Sequence, residues 1–242
     1  MKPIALFDLD GTFFRWQLYH ELVFELKNEG VFATETAERL DTALIEWQAK
    51  RRTWHDYEHE VIRALEPRIK DISIELLERT ARRVVSQSGH KVYNYTKHLL
   101  DSLKAKGYHT LAISGSQQEI AEIFAEQYGF DACIGALYGR AGDYFSGEIV
   151  RYVPGRKHEI IHEYLKDHSD LSLVGSVGVG DSEGDISMLE LVERPIAFNP
   201  SSGLLDIAKE RGWDIVIERK NIAYLIRKDT HGTFLLEETN IY

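Results

Sequence analysis

One cysteine, Cys133, is all that this chain of 242 residues carries. A single thiol closes no intrachain disulfide and builds no cysteine-based metal cage. Positive charge is also in deficit. Lys and Arg number 29 against 39 Asp and Glu, a formal net charge of −10. Binding along a nucleic-acid backbone needs concentrated basic charge, so nucleic acid is an unexpected partner. No run of about 18 apolar residues occurs, which argues against a membrane span. The opening MKPIALFDLD has only a short apolar stretch that ends in carboxylates, unlike a signal peptide. Repeats and low-complexity tracts are missing as well. With 43% hydrophobic and 28% charged residues, the expectation is a soluble, cytoplasmic protein with a sizeable core, as monomer or homodimer.

The charge that is present is uneven. Between Phe13 and Tyr95 there are 13 basic and 14 acidic residues, so nearly all the excess acidity lies elsewhere. Trp16, Trp47 and Trp54, three of the four tryptophans, also fall in that stretch. Its periodicity is helical. Leu18, Leu22 and Leu26 recur every fourth residue before Gly30. Leu40, Leu44 and Trp47 form a second stripe. Trp54, Tyr57, Val61 and Leu65 form a third between Thr53 and Pro67. Ile74, Leu77, Ala81 and Val84 form a fourth behind Ser73. Four helices are predicted, with no strand among them.

Outside this stretch strands and helices alternate. Ile4–Phe7, Thr110–Ile113, Leu173–Val179, Ile196–Phe198 and Asp214–Ile217 read as strands. Helices are expected through Val92–Leu103, Gln117–Tyr128, Ile186–Leu191 and Leu204–Arg211, with a turn at Ser114-Gly115 and a hairpin within Tyr138–Tyr152. Such alternation predicts an α/β fold, a Rossmann-like parallel sheet core with helices on both faces. The expected division is 1–14 and 90–242 for that core and 15–89 for an all-helical domain. Because the helical stretch follows Asp10-Gly11-Thr12, and ligands of such sheets bind beyond the carboxyl ends of the strands, it would cover the site. The segment Asn221–Tyr242 yields no clear pattern.

Four segments carry the chemistry. Asp8-Leu9-Asp10-Gly11-Thr12 ends the first strand, where residues i and i+2 point the same way. Ser114-Gly115-Ser116 ends another strand, Gly155-Arg156-Lys157 opens a helix, and Gly180-Asp181-Ser182-Glu183-Gly184-Asp185 ends a third strand. Gathered together, Asp8, Asp10, Asp181 and Asp185 would repel one another unless a cation balanced them. Oxygen donors alone match a hard ion such as Mg²⁺. Hydroxyls and backbone N–H groups at a helix start bind anions, and Lys157 adds a point charge. Carboxylates, cation, lysine and hydroxyl together describe a site for a phosphoryl group. Each segment taken singly has an ordinary reading, as a turn, a helix cap or a surface lysine.

In this order the four segments resemble the haloacid dehalogenase superfamily of phosphatases, specifically its phosphoserine-phosphatase-like branch, subfamily IB. The helical insert resembles that superfamily's C1-type cap. The resemblance implies a Mg²⁺-dependent phosphomonoester hydrolase that acts on a small phosphorylated metabolite through an aspartyl-phosphate. It implies Asp8 as nucleophile, Asp10 as acid and base, and Lys157 as charge balance. The metal would be held by Asp8, the Asp10 carbonyl and Asp181, with Asp185 as a ligand or support. Ser114 and the Gly115 amide would bind phosphoryl oxygens, and Thr12 would order the loop. In phosphoserine-specific members a Glu stands nine residues after the nucleophile. Here that position is Gln17, whose neutral amide pairs poorly with a substrate ammonium. A phosphotransferase or mutase with the same intermediate is the alternative enzyme, and a non-catalytic phosphate-binding module the alternative outside catalysis.

Overall fold

The computed structural model describes residues 1–242. Nine strands form one sheet: β1 (Lys2–Asp8), β2 (His109–Gln117), β3 (Ala132–Ala141), β4 (Tyr144–Arg151), β5 (Leu171–Gly180), β6 (Arg194–Phe198), β7 (Asp214–Arg219), β8 (Ile222–Lys228) and β9 (Phe234–Ile241). Their spatial order is β4-β3-β2-β1-β5-β6-β7-β8-β9. The interior pairs from β3 to β7 are parallel, whereas β3–β4, β7–β8 and β8–β9 are antiparallel. The sheet is thus mostly parallel, extended by an antiparallel hairpin at one rim and a meander at the other.

The remaining elements are α1 (Leu18–Asn28), α2 (Thr34–Gln48), α3 (Trp54–Leu65), α4 (Ile74–Ser88), α5 (Asn94–Ala105), α6 (Gln118–Tyr128), α7 (Lys157–Asp167), α8 (Ile186–Leu189) and α9 (Ser202–Arg211). Alternate residues of β1 serve opposite faces. Ala5 and Phe7 belong to a core shared with Leu100 of α5, Phe124 of α6 and the helices α1–α4. Ile4 and Leu6 belong to the other core, with Ile161 of α7, Met188 of α8 and Leu204 of α9. Helices therefore cover both faces, and burying each of these large side chains contributes about 1.5–3 kcal/mol.

The elements between Leu18 and Ser88 are all helices, including a 3₁₀ turn at Glu66–Asp71, joined by short loops. Leu18, Leu22 and Leu26 are fully buried, as their spacing requires. Thr53 and Ser73 cap α3 and α4 by accepting from the amides of Asp56 and Leu76. Gly30 stops the first helix at φ 76°.

Two expectations need correction, and two stretches without a readable pattern prove to be strands. Ser114-Gly115 is not a turn. The chain stays extended to Gln117, with a bulge in the β2–β3 register between Ile113 and Gln117. Val92 lies outside α5, where it bridges to Phe14. The segment Ala132–Leu137 begins β3, pairing parallel to β2 before the hairpin. The patternless C-terminus forms β8 and β9. Its outer strand is exposed on most positions, so there is no burial alternation to read.

Candidate active site

The carboxyl ends of β1, β2 and β5 meet at the middle of the sheet. Asp8 is the last residue of β1 and 5% exposed. Leu9 turns inward into the core, and Asp10 returns to the side that Asp8 faces. The loop then folds tightly. The amides of Phe13 and Phe14 donate to the Leu9 carbonyl at 2.9 and 2.8 Å, and both phenyl rings are buried. Gly11 makes this turn at φ 85°, and a Cβ there would collide with the Asp181 carboxylate. Glycine is required twice over, for the dihedral and for the space.

Lys157 enters from the first turn of α7, buried to 5% exposure. Its Nζ donates to Asp8 Oδ1 and to Asp185 Oδ1, each at 2.6 Å. The other oxygen of Asp185 accepts from the amides of Asp181 and Ser182 and from the Ser182 hydroxyl. Ser182 and Asp185 thus form a reciprocal cap that shapes the loop after β5. Thr12 Oγ1 donates to Asp181 Oδ1 at 3.2 Å, and its carbonyl accepts from Thr96. Asp8 Oδ2 is buried and has no partner.

Asp8, Asp181 and Asp185 can bring one carboxylate oxygen each to within 4.8 Å of one another. One lysine does not neutralise three carboxylates. Burial pushes the Asp8 carboxyl well above its usual range; Asp185 adds to the rise and Lys157 opposes it. Burial, then Asp185, raises Asp181 to about 7. Burial works against the Lys157 charge, yet Asp185 and Asp8 more than offset it and hold the amine above its usual range. The site is short of positive charge. Its donors are all carboxylate oxygen, so a hard divalent cation fits here.

Asp10 is placed apart from this trio. Its Oδ1 accepts from the Leu18 amide at 2.5 Å, and its Oδ2 from the hydroxyls of Ser114 and, at 2.9 Å, Ser116. Ser116 Oγ in turn accepts from the Tyr19 amide at 2.9 Å. Burial raises the Asp10 carboxyl while the bonds from Ser114, Leu18 and Ser116 pull it down. Ser114 is fully buried, and Gly115 beside it is exposed. Gln17 sits half-buried just before α1, its side chain making no cap. Arg52 pairs with Glu46 at 2.9 Å on the rim of an all-polar hollow of about 330 Å³.

Sequence reasoning missed Ser182 and the role of the α1 amides. The spacing Ser182-x-x-Asp185 is a helix-start signature and could have revealed the first. Nothing local signals the second, since it depends on where a distant helix begins.

A mostly parallel sheet with aspartates at one strand end, a buried lysine and two serine hydroxyls on the neighbouring strand is a core of the α/β hydrolytic class. The match to the haloacid dehalogenase-like hydrolase family runs over residues 5–190, and this chain belongs to that family. It is 25% identical over 230 residues to the phosphoserine phosphatase of Methanocaldococcus jannaschii, covering 93% of this chain and 97% of that protein. Against phosphoserine phosphatase SerB1 of Mycobacterium tuberculosis it is 27% identical over 128 residues, 52% of this chain and 41% of that protein. The chain therefore spans less than half of that relative's length. A solved Bordetella pertussis Tohama I protein with unknown function shares the fold at a TM-score of 0.74 and 21% identity, covering 90% of this chain and 99% of the other. No helix is long and apolar enough to cross a membrane.

Proposed function

We propose that this chain is a Mg²⁺-dependent phosphatase that hydrolyses the monoester of a small phosphorylated metabolite through an aspartyl-phosphate on Asp8. The observation that carries the reading is the state of Asp8. One oxygen is anchored by Lys157 and the other is buried without a partner at the end of β1. A carboxylate so held is aimed and has a free lone pair for attack. Asp8 Oδ2 forms a bond to phosphorus as the bond from phosphorus to the leaving oxygen breaks. Asp10, its carboxyl raised by burial, gives its proton to that oxygen. It then takes a proton from the water that opens the aspartyl-phosphate and releases inorganic phosphate.

Asp8, Asp181 and the Asp10 carbonyl would hold the cation, with Asp185 as a support through Lys157 and the β5 loop. When bound, the ion neutralises charge on the phosphoryl oxygens. Ser114 and the Gly115 amide would receive those oxygens, which requires Ser114 to turn from Asp10. Lys157 balances charge on Asp8, and Thr12 fixes Asp181. Residues 15–89 would form a cap over residues 1–14 and 90–242. Two contacts support this: the first amides of α1 reach Asp10 and Ser116. The relatives called phosphoserine phosphatases support the reaction class.

The test is release of phosphate from a chromogenic monoester, with Mg²⁺ and with chelator. Chelator is expected to abolish turnover, and Asp8→Asn to lower kcat by at least about 10³-fold while far-UV circular dichroism is retained. Wild-type turnover in Asp8→Asn sinks the nucleophile, and equal rates with chelator sink the metal.

A further inference from the structure

Two hydroxyls reach one carboxylate oxygen of Asp10, and only one of them has a part in binding the phosphoryl group. Ser114 and Ser116 stand two apart on β2, where side chains at i and i+2 point the same way. Both donate to Asp10 Oδ2, Ser116 at 2.9 Å. Ser114 is fully buried and Ser116 is 2% exposed. Ser114 would turn from Asp10 to meet a phosphoryl oxygen. Ser116 cannot, because its bonds are already directed.

The direction of each bond at Ser116 follows from its partners. The Tyr19 amide lies 2.9 Å from Ser116 Oγ. A backbone N–H only donates, so the hydroxyl oxygen accepts there. A serine hydroxyl has one proton, and the other partner, the Asp10 carboxylate, accepts. The Ser116 proton is therefore held on Asp10 Oδ2. The Ser116 amide is committed too, to Ser114 Oγ at 2.9 Å.

The same bonds limit how Asp10 can sit. Its Oδ1 accepts from the Leu18 amide at 2.5 Å, and its Oδ2 from the two serines. When Ser114 turns to the phosphoryl group, it vacates a position on Oδ2 next to that group. Ser116 and Leu18 still hold one oxygen each, so the carboxyl cannot swing after it. A proton carried at the vacated position faces the phosphoryl group.

We propose that Ser116 is the positioning residue of the acid: it pins Asp10 Oδ2 so that the proton carried there is aimed at the leaving oxygen. This rests on the phosphatase reading above and adds the residue that orients the proton donor. As the bond from phosphorus to the leaving oxygen breaks, its electron pair stays on that oxygen and the proton passes to it from Asp10 Oδ2. Ser116 loses and gains nothing in this step and acts only through Asp10.

The experiment reads kcat/KM for four para-substituted phenyl phosphates: nitro, chloro, unsubstituted and methoxy. Their shapes are alike, and the departing phenolate grows more basic along the series. A nitrophenolate departs with little help, whereas a more basic phenolate needs the proton of Asp10. The wild type is expected to vary little along the series. Ser116→Ala is expected to lower kcat/KM for the methoxy ester about tenfold more than for the nitro ester, a barrier difference of about 1.4 kcal/mol. Ser116→Thr keeps the hydroxyl and is expected to keep the wild-type pattern. Far-UV circular dichroism and melting temperature are taken in parallel. If Ser116→Ala does not fold, Ser116→Cys, close in shape but a weaker donor, carries the same comparison.

An equal fall for all four esters gives Ser116 a structural part only and overturns the proposal. No fall overturns it as well, and so does a folded Ser116→Thr that behaves as Ser116→Ala does. If the wild type hydrolyses the series and its pattern does not depend on Ser116, the assignment of Ser116 alone is refuted. If it hydrolyses none of the four, the phosphatase reading falls and the part of Ser116 with it.

Discussion

Acidification tests the burial of His20. This side chain is 1% exposed and lies with ring centroids 5.9, 5.3 and 5.1 Å from Trp16, Trp54 and Tyr57. Its Nδ1 has no partner, and burial pushes its pKa down from 6.5 to about 3. The unfolded chain therefore takes up a proton near neutrality that the folded chain refuses. Stability from this residue is complete above the unfolded pKa and is lost as pH falls. At about pH 5 the loss is about 2 kcal/mol, from about one and a half pH units at 1.36 kcal/mol each. Asp8, Asp10 and Asp181 act oppositely, because their raised carboxyls bind protons more readily in the folded state. The comparison with His20→Phe, which keeps an aromatic ring and cannot titrate, removes their contribution. Urea unfolding of both proteins at about pH 7.5 and about pH 5 is the assay. The wild type should lose about 2 kcal/mol more than the variant over that interval. Parallel losses would refute a neutral, desolvated His20.

Three further outcomes follow from the site and its supports. Lys157→Met leaves Asp8 and Asp185 without the cation they share and should cost about 3–5 kcal/mol in chelator; thermal unfolding should show part of this restored by Mg²⁺, and an undiminished melting temperature in chelator would contradict the pairing. Gly11→Ala places a methyl against Asp181 in a backbone region that disfavours it, so the rise in melting temperature produced by Mg²⁺ in the wild type should shrink or vanish. Glu218→Ala removes the carboxylate that accepts from the Asn94 and Tyr95 amides and from Arg15, and should destabilise by about 2 kcal/mol in denaturant unfolding.

The interior of the sheet and the four helices after β1 were legible because burial imposes a period on their residues. Ala5 and Phe7 against Ile4 and Leu6, or Leu18, Leu22 and Leu26 on one helix face, record which side is dry. The rims were not legible for the converse reason. Leu235, Leu236 and Ile241 on β9 are apolar yet exposed, so the pattern there carries no facing information. The motif residues at strand ends were found from their types and order. Their connections were not, since the bonds from Leu18 to Asp10 and from Tyr19 to Ser116 start from backbone amides that every residue possesses, and the second joins segments about a hundred residues apart. Ser114-Gly115 misled because serine and glycine favour turns, whereas here a bulge keeps the strand extended.

The start of α1 has a consequence for motion. Leu18 and Tyr19 are consecutive, and their amides hold Asp10 and Ser116 respectively. A rigid displacement of the helical segment away from the sheet would break both bonds together. It would strip one donor from the carboxylate and one from the hydroxyl that also serves it. The hydrogen bonding of Asp10 would then report whether the helices are seated, because the bonds from Leu18 and Ser116 are among those that pull its carboxyl down.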